Sequence, residues 1–305
     1  MGTPAFAVPT LDALVAAGLA PVLVVTTPDA PGRRGQPDTP SAVKTAALGY
    51  GLPVATPASP REPDFADTIR AARADLLVVV AYKILPMAVI GAARLGAINL
   101  HGSLLPAYRG AAPIQRAVMA GETETGVTTF LLDAGVDTGG VLLQATTPVG
   151  PDDTAGDVAA RLSTIGAELV VETVRGLEAG TLAPRPQDAS LATPAPKLFR
   201  DEGRIDWTRP ASAVHDHVRG FSPAPGAWTT LPDGRSLKVH RTRRIDAAAP
   251  ADAAPGTVVA TTPDLVVATG DGGALVLDTV QAEGRPRMDG GAFARGALGV
   301  GERLG

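Results

Sequence analysis

The chain has 305 residues, 45% of them hydrophobic, and a formal net charge of −4. That length predicts two domains, and the acidic balance argues against a surface that coats nucleic acid broadly while leaving room for a local basic patch. With no cysteine, with only His215 and His217 close together among four histidines, and with no apolar run of membrane-spanning length, disulfides and thiolate metal sites are excluded, no metal is expected, and a soluble, cytoplasmic protein is predicted.

In chain order, "PTLDALVAAGLA" (9–20) spaces Leu11, Leu14 and Val15 along one helical face and stops at Gly18. "PVLVVTT" (21–27) is a short run rich in β-branched residues, as a buried parallel strand requires. A loop loaded with Pro and Gly follows, and "SAVKTAALGYG" reads as a helix capped by Ser41. "LPVATP" is strand-like, "EPDFADTIRAARA" helical, "DLLVVVAY" the strongest buried strand, "PMAVIGAARLG" a short helix and "AINLH" another strand. Such alternation predicts an α/β unit with a doubly wound, Rossmann-like parallel sheet. A unit of that kind opens with a strand, whereas this chain opens at "MGTPAFA", a turn into the first helix. The expectation is a first strand missing or truncated, with the natural start upstream of Met1.

"TAGDVAARLSTIGAELVVETVRGLEAG" (154–180) is a long amphipathic helix capped by Thr154 and stopped by Gly180. "TLAPRPQDASLATPAPK" (181–197) holds four prolines and almost no periodicity, which predicts a linker. Short β-like runs come after it: "AWTTL", "SLKVHRTRRI", "GTVVATT", "LVVATG" and "ALVLDTV". They suggest a small antiparallel barrel or sandwich, most simply a β-barrel of OB-like type. The expected division is a catalytic domain over 1–180, a linker over 181–203 and a β-barrel domain over 204–305.

The chemistry concentrates in "NLHGSLLPAYRGAAP" (99–113). Period-two alternation along "AINLH" puts Asn99 and His101 on one side, at the carboxyl end of a parallel strand, where open α/β sheets build their sites. An amide donor beside an imidazole suits an oxygen that becomes negative while a nearby amine loses a proton. Taken alone, an N-x-H pair is better explained by a turn cap and a satisfied histidine.

The longer stretch resembles the formyltransferase family that uses 10-formyltetrahydrofolate, whose pattern is N-x-H-x-S-L-L-P-x-x-R-G-x-x-P. Asn99, His101, Ser103, Leu104, Leu105, Pro106, Arg109, Gly110 and Pro113 fill every fixed position. "GTPAFA", "APIQRAVMAGETETGVTTF", "APKLFRDEGRIDW" and "GFSPAPGAW" extend the likeness nearly end to end, toward the members that act on aminoacyl-tRNA. The resemblance implies attack by the α-amino group of methionine, esterified to initiator tRNA, on the formyl carbon of the folate. It implies Asn99 and His101 as donors to the developing oxyanion and Asp137, in "DAGVDTGG", as the third catalytic residue, with Asp133 a structural competitor. Folate would lie at the turn of Ser103, Leu104, Leu105 and Pro106 and against Ile84, Leu85 and Pro86. For tRNA the resemblance points to Arg34 and to the basic stretch carrying Lys238, Arg241 and Arg243. Alternation predicts that Arg241 and Arg243 share one strand face and that Lys238, His240 and Arg244 lie on the other or at its end. Gln36, Pro37, Ala107 and Tyr108 depart from the basic or aromatic residues usual at those places. A monomer is implied.

A nicotinamide dehydrogenase is excluded, because no G-x-G-x-x-G separates the first strand from its helix. A formyltransferase for a sugar amine or glycinamide ribonucleotide would share Asn99, His101 and Asp137. A non-catalytic RNA-binding protein would not need them.

Overall fold

The computed structural model describes every residue except Arg33, Arg34 and Gln36, and the side chain of Ala247 is left aside. Its contacts divide the chain into two units. Met1–Pro113, Thr125–Thr147 and Ala159–Ala195 form the first; Ile114–Glu124, Pro148–Val158 and Pro196–Gly305 form the second.

The first unit follows the βα alternation. Its elements are α1 (Val8–Ala16), β1 (Val24–Val25), α2 (Ala42–Gly49), β2 (Val54–Ala55), α3 (Phe65–Ala71), β3 (Leu77–Val80), α4 (Met87–Ile90) and β4 (Ala97–His101). α5 (Pro113–Met119), nearly all of which counts with the second unit, follows, then β5 (Glu124–Leu131), β6 (Val141–Pro148) and α6 (Ala155–Glu178), whose first turn also counts with the second unit. The expected cap of α2 is present, the Ser41 hydroxyl accepting from the Lys44 N–H at 3.0 Å. Thr154 caps α6 through a reciprocal pair: Asp157 N–H donates to its hydroxyl oxygen at 3.2 Å, and Thr154 N–H donates to the Asp157 carboxylate at 3.0 Å.

β1 pairs in parallel with β2, and β3 in parallel with β4. Between the two pairs run Met1 and Gly2. Gly2 N–H donates to Val25 O at 3.0 Å, Val80 N–H donates to Met1 O at 2.9 Å, and Gly2 bridges Val80 in parallel. Two residues thus occupy the place of the expected opening strand. The Met1 ammonium donates to Val78 O at 2.6 Å, and burial lowers its pKa from the ordinary 8.0 to about 5. An apolar cavity of about 290 Å³, bordered by Met1, Leu14, Val25, Ile69 and Val80 among others, lies at this seam.

The parallel pairing expected of the α/β unit is present, although the sheet is not wholly parallel. β5 runs antiparallel to β4, with Phe130 opposite Asn99 and Thr128 opposite His101, and β6 lies beside β5. The chain leaves β4 at its carboxyl end and re-enters the sheet from that same end, so no crossover is required and the neighbour comes back reversed. α6 covers the sheet closely: a Cβ on Gly166 would stand 2.6 Å from a Leu100 methyl, and the Thr129 and Thr173 hydroxyls meet at 2.8 Å.

The expected linker does not run free. Arg185 exchanges both backbone hydrogen bonds with Val141 at 2.8 Å, and Ala195 N–H donates to Arg109 O at 2.6 Å. Within this stretch, residues up to Ala195 count with the first unit and those from Pro196 with the second.

The second unit contains α7 (Ala211–Phe221), β7 (Ala227–Thr230), β8 (Ser236–Ala248), β9 (Val258–Ala260), β10 (Val266–Ala268), β11 (Gly273–Ala282), β12 (Met288–Asp289) and α8 (Gly290–Ala297). The expected antiparallel strands are all present, in the order β7-β8-β11-β10-β9 with β12 on β11. They do not close into a barrel, because β9, β10 and β12 are only two or three residues long and form no ladder with β7. The terminal residues reach both edges: Gly305 exchanges hydrogen bonds with Thr230, and Val258 N–H donates to Glu302 O. The core gathers Trp207, Val218, Phe221, Leu237, Leu275 and Leu277, among others. Among the described residues no helix is long and apolar enough to cross a membrane.

Burial, the largest influence in each case, holds His101, His217 and His240 below their ordinary protonation range. A depressed folded value means that the folded chain binds fewer protons than the unfolded chain just below about pH 6.5. Stability is therefore present above that value and lost as pH falls through the folded values. Melting temperature should drop between pH 7.5 and 5; a flat profile over that range would contradict the burial of neutral imidazoles.

Candidate active site

Within the first unit, β4 carries Asn99 and His101 to its carboxyl end, and the loop between β5 and β6 brings Asp137 back to them. Nδ1 of His101 lies 3.7 Å from Oδ2 of Asp137, with both side chains nearly buried. The other ring nitrogen, Nε2, is 2.9 Å from the Tyr108 carbonyl. A carbonyl only accepts, so the proton of a neutral ring sits on Nε2 and Nδ1 keeps its lone pair. Two acceptors, Nδ1 and a carboxylate oxygen, thus face each other across a gap too wide for a direct hydrogen bond. Burial pushes the His101 pKa down, and the Asp137 charge and the Tyr108 carbonyl oppose that without reversing it. The imidazole stands ready to take a proton.

Asp137 is held from two sides. Its Oδ2 accepts from Gly110 N–H at 2.8 Å. Its backbone has φ 54, a left-handed conformation that few residues other than glycine adopt. Gly110 is required for this contact, since it has φ 130 and a Cβ there would stand 2.5 Å from Ala195 O. Asp133 has the structural role, its Oδ1 accepting from Gly135 N–H at 3.0 Å and from the Thr138 hydroxyl at 2.7 Å. Asn99 is half-buried, and among the described residues nothing hydrogen-bonds its carboxamide. The amide beside the imidazole has donors to offer.

The turn after β4 is fixed by groups that carry little sequence signal. The Ser103 hydroxyl is fully buried and donates to Ala107 O at 2.6 Å. Thr128, opposite His101 on β5, donates to Ser103 O at 2.7 Å and accepts from Leu105 N–H at 3.0 Å. Gln144 adds a donation to Leu105 O at 2.9 Å. Leu105 packs with Phe130 and Val141, while Leu104 and Pro106 stay half-buried. Ser103 and Leu105 thus shape the turn from inside, leaving Leu104 and Pro106 with surface to present. On β3, beside β4, the following segment buries Leu85 and leaves Ile84 71% exposed, with Met87 53% exposed in α4. Gln187 also enters, its carboxamide meeting Arg109 and the Asp137 loop. The only hint of Gln187 in the sequence was a lone amide among prolines.

The basic strand β8 differs from its expected alternation. A register shift opposite Leu277, Thr279 and Val280 moves Lys238, Arg241 and Arg243 to exposed positions together and leaves His240 buried. Arg241 pairs with Asp157 at 2.9 Å, and Arg243 with Asp264 and Asp278 at 3.3 Å. Lys238 donates to Pro225 O at 2.9 Å. Arg34 lies outside the described residues. Among the described residues no group of three or more His, Asp or Glu side chains could hold a metal ion.

Residues 1–174 match the family model described as formyl transferase, and residues 197–298 match that of the formyl transferase C-terminal domain. The methionyl-tRNA formyltransferase of Solibacter usitatus is 50% identical over 307 residues, covering 100% of this chain and 97% of that protein. In fold the chain is similar to an N-formyltransferase from Helicobacter canadensis solved with folinic acid and dTDP-3-aminofucose, with a TM-score of 0.64 and 16% identity over 92% of this chain and 97% of that one. It is also similar to HypX from Aquifex aeolicus in complex with tetrahydrofolic acid, with a TM-score of 0.62 and 20% identity; that match covers 81% of this chain but 43% of HypX. With both domains matched in order and a relative half identical along its whole length, the chain belongs to the formyl transferase family, among the methionyl-tRNA formyltransferases.

Proposed function

We propose that this chain transfers the formyl group of 10-formyltetrahydrofolate to the α-amino group of methionyl initiator tRNA, acting as a monomer in the cytoplasm. The observation that carries the reading is the convergence of a bare imidazole nitrogen and a carboxylate at 3.7 Å, beside an unpartnered carboxamide. An amine attacking a formyl carbon must lose a proton, and the carbonyl oxygen must gain negative charge. Nδ1 of His101, backed by Asp137, takes the proton; the Asn99 amide donates to the oxygen. This division refines the sequence expectation, since a neutral His101 has no free N–H for an oxyanion. Once protonated, its Nδ1–H is balanced by Asp137, and as the oxyanion collapses and the bond from the formyl carbon to folate N10 breaks, that proton passes to N10 and tetrahydrofolate leaves as a neutral amine.

The surroundings offer apolar side chains to the faces of a flat pterin ring, whose polar edge would need hydrogen-bond partners. Ile84 and Met87, exposed just past the carboxyl end of β3, would lose water against it, and the turn at Leu104 and Pro106 faces the same end of the sheet. We infer that the second unit, an open antiparallel sheet whose edges the terminal residues reach, is a module for tRNA. Lys238, Arg241 and Arg243 then serve as phosphate contacts. Exposed ion pairs such as those of Arg241 and Arg243 are worth about 0–1 kcal/mol, so a phosphate displaces the carboxylate at small cost. The discriminating experiment supplies 10-formyltetrahydrofolate with charged initiator tRNA or with small amines and follows formyl transfer. Transfer to the tRNA is expected. Transfer to sugar amines alone would replace the acceptor, and no transfer to any amine would remove the reaction.

A further inference from the structure

We propose that Gln187 is a positioning residue for the reaction: its single carboxamide ties the loop that carries Asp137 to the turn that carries Arg109. The idea rests on the reading that Asp137 assists the proton transfer. Oε1 of Gln187 accepts from Arg109 Nε at 3.1 Å and from its Nη2 at 2.7 Å. Nε2 donates to the Asp137 carbonyl at 2.9 Å and to the Gly139 carbonyl at 2.8 Å. All the hydrogen-bonding capacity of the amide is thus used, half on each loop. The acceptor end faces a cation and the donor end faces two carbonyls, so the amide cannot be flipped without losing both pairs.

The main chain fixes where this amide stands. Arg185 is bridged to Val141 at the start of β6, two residues before Gln187, and Arg109 is paired with Thr193 and Ala195 beyond it. The segment 185–195 therefore straps both loops, with Gln187 as its side-chain clasp. The clasp adds to what holds the backbone of Asp137 left-handed at φ 54, a region that aspartate enters more readily than most residues but that is still less populated than the right-handed and extended ones. Besides the Gln187 bond to its carbonyl, Asp137 is held by the contact of its carboxylate with Gly110 N–H. Relaxation of the loop would swing the carboxylate away from Nδ1, and a misplacement of about 1 Å is enough to cost roughly 10²-fold in rate.

The test uses Gln187→Glu and Gln187→Leu. Glutamate keeps the shape and strengthens the hold on Arg109 but cannot donate to the Asp137 and Gly139 carbonyls. A residue that merely tethers the strap tolerates that change; a positioning residue does not. Both variants are expected to lose about tenfold to a hundredfold in kcat, with KM for folate and for tRNA little changed and with Gln187→Glu melting near the parent. In an Asp137→Asn background the same substitutions should cost almost nothing more, because the group they position is already gone. Parental kcat in Gln187→Glu, or full additivity with Asp137→Asn, would overturn the proposal. Should Asp137→Asn itself keep parental turnover, the failure would lie with the role of Asp137.

Discussion

Asp137→Asn is expected to lower kcat for formyl transfer about 10²- to 10⁴-fold, the usual worth of positioned proton transfer, while the chain still folds. Asparagine keeps an oxygen for the Gly110 N–H, now 2.8 Å from Oδ2, and is among the residues that best tolerate positive φ. What changes is the group facing Nδ1 of His101 from 3.7 Å. A carboxylate draws a proton onto that nitrogen and balances the imidazolium that forms, whereas the amide oxygen left on Gly110 N–H carries no charge with which to do so. The pH dependence gives the sign. His101 is depressed by burial, and the Asp137 charge is what opposes the depression. The neutral ring is the active form, so the parental rate falls as pH drops through the His101 value, below about 6.5. Removing the charge lets that value sink further, and the acid limb of the residual activity should move to lower pH. Single-turnover rates between pH 5 and 8 measure both effects; a limb that moves upward, or turnover within a few-fold of the parent, would refute the pairing.

Asn99→Ala should cost about 10²–10³ in kcat, equivalent to roughly 2.7–4 kcal/mol of transition-state stabilisation for one oxyanion donor. The half-buried carboxamide has no partner among the described residues, so truncating it breaks no hydrogen bond of the resting protein, and the melting temperature should stay close to the parent. Asn99→Asp is the sharper variant. It preserves the shape on β4 opposite Phe130 but presents negative charge to an oxygen that is itself becoming negative, and it should be at least as slow as alanine. An aspartate variant faster than the alanine variant would show that Asn99 does not face the developing charge.

Periodicity sufficed for what is local. The helix over 154–180 with its Thr154 cap, the run of β-branched residues at Leu77–Val80 and the alternation that pairs Asn99 with His101 follow from neighbours along the chain, where spacing and burial are one signal. The motif from Asn99 to Pro113 was legible for the same reason: its groups are contiguous and leave the strand together. Contacts between distant segments were not. That β5 returns antiparallel, that Met1 and Gly2 stand between β1 and β3, that a register shift lines up Lys238 with Arg241, and that the supposed linker straps two loops through Gln187 are all decided by pairing across long loops. Backbone groups find partners there by position in space, and no residue type announces them.

Even for His101 the division is plain. The sequence alone determined that an imidazole stands beside an amide at the end of a strand. Only the folded chain decided which nitrogen carries its proton, because the Tyr108 carbonyl and the Asp137 carboxylate reach the ring from opposite sides through turns whose shape depends on Gly110, Thr128 and Gln144. Hydrogen bonds set proton positions, and these bonds exist only when segments far apart in the chain are packed against one another.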